Sequence, residues 1–520
     1  MTTGTPTIAA DAPPASRSDE RERSRRARDA APEAPSDRSS QTRRAAFALV
    51  ALVVALYWPT VNFGFVNWDD RWYVVENPVV RSWQPASLWS LATEVHVKNY
   101  APLTLASHLI EHTLWGLWPG GYHLTNLLLH ALNAVLVWVL VRQVTGSRFI
   151  AWTTAALFAV HPVQVETVAW ISSRKGLLSA TFILACLIRQ LRPERSSRDE
   201  GIALMFLAAA LLTKAIAIVV PAVVLAYDLI VRKRPFAEAL PRQIVPGVLC
   251  LCLLAITAGA QTSELGGLRD HLELSRGRIL AVDAIVLWKY VGMLAWPANL
   301  AVLYDVPTAG IAGWAALAIT GWATVAWGMY RLRTRSPLIP FAGTAALLFL
   351  LPVLNLIPIT TLMNDRYLYL PSIAVFGLFA ALGRHMSRLC EGRGDEVRSA
   401  ECEMRNIEWR SRRVETQGAS LPRGTRLARL TTHVAIGTAI VACAVATHRH
   451  LPVWRDSVSL WRHTARVSPG LAVVQYQLAD ALFARGETDE AVAALERALA
   501  DCDPDDLDRE RIERRLAARK

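Results

Sequence analysis

The chain has 520 residues, 52% of them hydrophobic and only 19% charged, with a formal net charge of +12. A soluble domain averages about 45–50% apolar and about 25% charged residues, so this balance argues against a wholly disordered chain and against a pure nucleic-acid binder. The seven cysteines are scattered, without metal-type spacing, and argue against a disulfide framework.

In chain order, residues 1–44 form a Pro/Ser/Ala/Arg tail with too little apolar surface to offset ordering entropy, and disorder is expected there. Ala45–Pro59 follows Arg43-Arg44 and ends in Tyr57-Trp58-Pro59, a poor cleavage site, so it reads as an uncleaved signal anchor. Further apolar runs lie at Tyr122–Val141, Phe149–Val160, Gly176–Ile188, Ile202–Leu212, Ala215–Val231 and Ile244–Ala260. The series continues at Ile279–Trp296, Ile311–Tyr330, Leu338–Ile359, Pro371–Leu382 and Leu430–Ala446. The basic loops after alternate runs (Arg142/Arg148, Arg189–Arg198, Arg232–Arg234, Arg331–Arg335, Arg384–Arg429) satisfy the positive-inside rule if they are cytoplasmic. Parity then makes Ile279–Asp305 an outer-face or re-entrant excursion and leaves about eleven spans.

The fold class expected is therefore all-α. A polytopic membrane helix bundle occupies 45–450, with a first outer loop at 61–120 and a cytoplasmic loop at 383–429. A short helical domain follows at 451–520 on the outer face. There Leu478, Leu482, Ala491, Leu495 and Ala498 take tetratricopeptide-like spacings on two helices joined at Arg485-Gly486. One repeat and a preceding half-repeat are too little to stand alone, so the unit should pack on the bundle or be continued by a protein partner.

With this topology, polar residues collect at outward-facing ends: Asp69-Asp70, His161 and Glu166, Arg174-Lys175, Lys214, and Asp365-Arg366-Tyr367. Ionisable groups near bilayer depth are costly and usually pair or serve a pathway. Each also has a plainer reading. The acids could be a solvated pair or a helix cap, His161-Pro162 a helix stop, the basic residues snorkelling side chains, and Asp365-Arg366 a structural ion pair. His123, Asn126, His130 and Asn133 share one helical stripe and read as interhelical hydrogen-bond glue. Most of the tryptophans of the first outer loop suit a headgroup layer.

The set suits group transfer from a lipid-linked phosphate. Asp69 or Asp70 can take the proton from an acceptor hydroxyl. Arg174, Lys175, Lys214 and Arg366 can hold the departing phosphate. A divalent ion such as Mg or Mn could bridge acids and phosphate, though no ligand set demands one.

At these residues the chain resembles the transmembrane-and-tetratricopeptide-repeat glycosyltransferase family, whose eukaryotic members are associated with protein O-mannosylation. The blocks that carry the resemblance are Phe65-Val66-Asn67-Trp68-Asp69-Asp70 with Glu76-Asn77-Pro78, Tyr122 to His130, His161 to Glu166, Trp296 to Leu300 and Asp365 to Pro371. The resemblance implies a type C glycosyltransferase fold, a catalytic acidic motif at Asp69-Asp70, and a polyprenyl-phosphate sugar donor. It places His161, Glu166, Arg174, Lys175 and Arg366 on the family's polar blocks. Two positions depart from the pattern: Gly176 follows the Arg-Lys pair where many relatives have an acid, and Lys214-Ala215 replaces a Lys-Pro block.

The reading is a membrane enzyme, an inverting glycosyltransferase acting on a protein or glycan acceptor at the outer face of a lipid bilayer, with a bacterial inner membrane preferred. The alternative is a non-catalytic tetratricopeptide scaffold recruiting envelope partners. A flippase would call for paired interrupted helices in two halves, and the sequence shows no such symmetry.

Overall fold

The computed structural model describes residues 35–97, 99–265, 274–334, 336–355, 361–387, 423–501 and 507–518. Most of the expected cytoplasmic loop 383–429, and the tail before residue 35, lie outside the described residues. By internal contacts the chain divides into Met1–Phe47 and Ala48–Lys520. In the smaller unit the described residues are helical from Pro35, so the helical register begins inside the tail expected to be disordered.

The described residues are helical and contain no strand; their sole β-bridge joins His96 and Asn99. Among the described residues five helices are long and apolar enough to cross a membrane, and three shorter apolar helices accompany them. We number the helices α1 (Pro35–Tyr57), α2 (Pro85–Thr93), α3 (Pro102–Trp115), α4 (Pro119–Thr145), α5 (Arg148–Val160), α6 (Arg174–Gln190), α7 (Ser197–Leu211), α8 (Val220–Ile230) and α9 (Ile244–Leu265). Then follow α10 (Arg276–Ala295), α11 (Ala312–Leu332), α12 (Leu338–Leu350), α13 (371–387) and α14 (Arg423–His450). The C-terminal helices are α15 (Ser457–Val467), α16 (Ala472–Arg485), α17 (Thr488–Ala500) and α18 (Leu507–Ala517). Proline opens α2, α3 and α4, where its missing N–H costs nothing. Gly146, at φ +64°, closes α4, a left-handed position that glycine adopts without strain.

The polar stripe of α4 acts as glue. Asn126 Nδ2 donates to the carbonyls of Val168 (3.2 Å) and Trp170 (2.9 Å). Asn133 Nδ2 reaches Leu177 O at 3.0 Å, and Asn133 Oδ1 accepts from Thr181 Oγ1 at 2.8 Å. His130 bridges Tyr369 Oη (2.8 Å) and Ala159 O (3.2 Å). Polar side chains thus fix the register of α4 against α6 and the segments before it, in a setting where apolar contact with lipid competes equally with apolar contact between helices.

The 61–120 loop is largely folded. Tyr73, Val74, Val80, Leu91, Leu105 and Leu109 form a small core with Tyr122 and Ile171, so α2 and α3 are packed elements whose outward sides expose Trp89, Ile110 and Leu114. The Ile279–Asp305 excursion resolves into one continuous helix, α10, and a non-helical stretch. Helices α10 and α11 are held together by stacked Trp288 and Trp322 (4.5 Å), whose indole nitrogens donate to Ala318 O (3.0 Å) and Ala284 O (3.1 Å).

The C-terminal helices pack on the bundle, as a single repeat must. His463 Nε2 meets Leu300 O at 2.8 Å, and Ser468 Oγ donates to Leu303 O at 3.0 Å. Leu478, Leu482, Ala491, Leu495 and Ala498 are all buried within the repeat.

The acids are not confined to one end of the bundle. Asp199 and Asp228 lie among the arginines at the far end of α6, where Asp199 pairs with Arg189 and Arg192 and Asp228 with Arg232. The expectation that acids and bases collect at the outward-facing ends is corrected: so many adjacent guanidinium groups need internal counter-charges to be packed.

Candidate active site

The site is built where the 65–76 segment, the start of α6, the turn before Ala215 and the 361–370 segment meet. Asp69 and Asp70 are neighbours in sequence with different surroundings. Asp70 is 1% exposed; its Oδ2 accepts from Val66 N (3.0 Å), and its Oδ1 from Ser172 N (2.9 Å) and Ser172 Oγ (2.5 Å). Burial pushes its carboxyl up to about 6, against the pull of the Ser172 and Val66 hydrogen bonds. Asp69 keeps 24% of its side chain exposed and lies 3.6 Å from Lys175 Nζ. Asp70 pins the turn to the segment just before α6, and Asp69 is the more accessible carboxylate of the pair.

Lys175 is held beside Asp69 by Tyr73: its Nζ donates to Tyr73 Oη at 3.3 Å and lies 4.8 Å from the ring centre. Arg366 donates from Nη1 to Glu166 Oε1 (2.5 Å) and to Asn364 Oδ1 (3.1 Å), and its backbone N–H donates to Glu166 Oε2 (2.9 Å). Its guanidinium stands 5.3 Å from the Trp170 ring centre. Asp365 is buried and accepts from Tyr304 Oη. Burial, then the charge of Glu166, pushes Asp365 well above the usual carboxylate range. Tyr367 Oη shares a 2.9 Å hydrogen bond with Thr361 Oγ1.

Lys214 completes the set. Burial, then the charges of Lys175 and Arg366, depress its ammonium to about 7, with Glu166 opposing. Since Glu166 is engaged by Arg366, Lys214 has no carboxylate of its own. Lys175, Lys214 and Arg366 feel one another's charge, and Asp69 acts on both Lys175 and Arg366. Cations outnumber the free acid, and an anion placed among them would relieve the repulsion.

Two expected site residues have other tasks. Arg174 is fully buried: Nη1 pairs with Glu111 Oε2 (2.8 Å), Nε donates to Asn126 Oδ1 (2.5 Å), and Nη2 donates to Tyr122 O (2.9 Å). All three of its nitrogens are turned into the α3–α4–α6 junction. His161 Nδ1 accepts from Val163 N (3.3 Å), and its Nε2 lies 3.2 Å from Leu294 O. This histidine stops α5 and caps the turn that follows, and burial lowers it to about 4 despite the Leu294 hydrogen bond. It is a neutral helix stop.

Sequence reasoning passed over Glu111 and His108, which meet at 3.1 Å under Arg174. Although burial alone would raise Glu111, the Arg174 charge and the His108 hydrogen bond hold it down at about 2. The signal was there, as two ionisable residues three apart on the apolar helix α3. Among the described residues no three His, Cys, Asp or Glu side chains gather as a metal site. Both oxygens of Asp70 are taken up by hydrogen bonds from Val66 and Ser172, so the donor set does not fit a chelated ion.

Comparison with known proteins gives three findings. A tetratricopeptide-repeat family model matches residues 472–518. The chain is 34% identical over 180 residues to protein O-mannosyl-transferase Tmtc1 of Drosophila melanogaster, covering 32% of this chain and 21% of that protein. It is likewise 34% identical over 169 residues to protein O-mannosyl-transferase TMTC1 of Mus musculus, covering 31% and 17%. The chain thus spans about a fifth of the length of these curated relatives. Among solved structures it is similar to ArnT from Cupriavidus metallidurans bound to undecaprenyl phosphate, with 13% identity, coverage of 84% and 80%, and a TM-score of 0.42.

Proposed function

We propose that this protein is an inverting membrane glycosyltransferase that moves a mannose-like sugar from a polyprenyl-phosphate donor to a hydroxyl of a protein or glycan. The observation that carries the reading is the partly exposed Asp69 carboxylate set against Lys175, Lys214 and Arg366. The similarity to protein O-mannosyl-transferases supports the sugar and a protein acceptor.

In the proposed step the acceptor oxygen attacks the anomeric carbon as its proton passes to Asp69. The bond from the anomeric carbon to the phosphate oxygen breaks on the opposite side, which inverts the configuration. The electron pair leaves with the polyprenyl phosphate, whose added charge is met by Lys175, Lys214 and Arg366. Asp70, Tyr73 and Glu166 position these groups, and Arg174 positions Lys175 through the backbone they share. We place the site and the tetratricopeptide helices outside a bacterial inner membrane and the N-terminus in the cytoplasm, on the strength of the arginine-rich far end of the bundle.

The test is transfer of labelled mannose from a polyprenyl-phosphate donor by the purified full chain. Asp69→Asn should lower turnover about 10²–10⁴-fold, the usual contribution of a general base, while leaving the melting temperature unchanged. Equal turnover in the variant and the parent would return the chain to the scaffold reading.

A further inference from the structure

The far end of α6 carries a second charged cluster, which the transfer reaction does not use. Asp228 is fully buried and is approached by three guanidinium groups, from Arg232 (2.6 Å), Arg234 (3.4 Å) and Arg195 (3.5 Å). Arg192 and Arg189 share Asp199 beside them, and a nitrogen of Arg232 also donates to Arg192 O. Five arginines therefore meet two carboxylates, and Arg242 is close enough for its charge to act on Arg195. Exposed basic residues at a membrane end would snorkel into headgroups and need no further account, but here the Arg195 side chain is only 5% exposed.

One buried donor in this cluster lacks an acceptor. Arg195 is engaged through both terminal nitrogens, Nη1 bonded to Gln190 Oε1 and Nη2 in the 3.5 Å ion pair with Asp228 Oδ2. Gln243, 7% exposed, has an unpartnered Nε2. Gln190 and Gln243 both line a cleft between α6, α7, α8 and α9, whose other walls include Cys186, Leu207, Val224 and Pro246. The adjoining face of α9 exposes Ile244, Val245, Val248 and Leu251, the composition of a surface in contact with acyl chains.

We propose that this notch binds the phosphate of an anionic membrane phospholipid, with the surplus guanidinium charge around Arg195 facing the phosphate, Gln243 Nε2 donating to one of its oxygens, and an acyl chain lying along the exposed apolar face of α9. Excess positive charge asks for an anion, the unpartnered Gln243 amide asks for an acceptor oxygen, and the exposed apolar face of α9 beside them selects a lipid over a free ion. Basic pockets between membrane helices are known to take such headgroups. The site is independent of the transferase reading and would serve a scaffold equally.

The test uses the full chain in nanodiscs of phosphatidylcholine alone, phosphatidylcholine with phosphatidylglycerol, or phosphatidylcholine with millimolar inorganic phosphate in the buffer. Melting temperature and the lipids retained in native mass spectrometry are read. Wild type should retain phosphatidylglycerol preferentially and melt higher in its presence, with no response to inorganic phosphate. Arg195→Gln should lower the preference about fivefold, the effect of one basic residue near an anionic lipid. Because Arg195→Gln could also disturb Asp228, Gln243→Leu serves as the second variant. It removes only an unpartnered donor, so it should fold at least as well in phosphatidylcholine while losing the gain from phosphatidylglycerol. Equal retention of the two lipids overturns the proposal, as does an undiminished gain in both variants. A gain reproduced by inorganic phosphate alone overturns the lipid as the source of the anion.

Discussion

At the scale of single residues, Asp70 and Lys214 are each held away from their ordinary ionisation. Burial raises Asp70 from 3.8 to about 6, so the folded protein prefers the protonated acid. The stability it contributes is complete below pH 4 or so and is lost as pH rises through about 6, a swing of about 3 kcal/mol. A pH series of melting temperatures should show this decline, and Asp70→Asn should flatten it. Lys214 has the complementary behaviour: burial and two neighbouring cations lower it to about 7, and a phosphate bound there would favour its charged form. The kcat/KM for the donor should therefore fall above about pH 7. Lys214→Arg, which stays protonated throughout, should move that alkaline limb upward; a limb unmoved by the substitution would assign it to another group. The acidic pair and the Lys175, Lys214 and Arg366 positions were legible in the sequence because charge is expensive at membrane ends. The helix stop at His161 was among the plainer readings that the sequence offered, but the burden of Arg174 was not legible. Arg174 looks polar and functional in a string of letters, and only the approach of Glu111 and Asn126 from other segments shows what engages it.

At the scale of elements, the C-terminal helices are bound to the segment that carries the acids. Gly64 N donates to Arg455 O (2.9 Å), Asn67 N to Ser457 Oγ (2.9 Å), and Trp461 Nε1 to Asn67 Oδ1 (2.7 Å). Trp68 lies edge-on to Trp461 at 5.2 Å, and Trp454 stacks at 5.9 Å on Trp170, the ring that backs Arg366. The helical repeat was visible from spacing alone, but this clamp joins residues some 390 positions apart and no local pattern announces it. One consequence is that deleting Leu451–Lys520 cannot separate an enzyme from a scaffold, since an enzyme would lose its ordered Asp69 turn too. A milder change is more telling. Trp461→Ala removes a fully buried indole, a loss of about 3–5 kcal/mol in a packed core. It should raise hydrogen exchange at Asn67–Tyr73 and lower turnover together, leaving exchange within α6 unchanged. Loosening confined to α16 and α17, with turnover intact, would show that the repeat does not support the site.

At the scale of the molecule, the two ends of the helices differ in what their charges do. One end presents Asp69 beside Lys175, with Lys214 lacking a carboxylate; the other packs Asp199 and Asp228 among arginines. The ends are joined by α6, which runs from Arg174 to Gln190, about 25 Å at the helical rise. The sequence made the alternation of apolar runs and basic loops plain, because hydropathy needs no tertiary information. It could not reveal Asp228, a lone acid inside an apolar run, as the hub of the arginines. Orientation follows from the same asymmetry: the arginine end should face the cytoplasm, and the site should open on the far side of the membrane. Single cysteines in a cysteine-free background measure this directly. Glu94→Cys and Val473→Cys sit at exposed positions of the site end, and Glu238→Cys and Arg333→Cys at exposed positions of the arginine end. In intact cells a membrane-impermeant maleimide should label the first two, and the second two only after permeabilisation. The reversed pattern would put the donor phosphate on the cytoplasmic side, where nucleotide-linked sugars are available, and would remove the reason for a lipid-linked donor. A mixed pattern within either pair would break the assignment of α10 and α11, whose connecting stretch at 296–310 must return the chain to the site end for Asp305 N to donate to Ser468 Oγ at 3.3 Å.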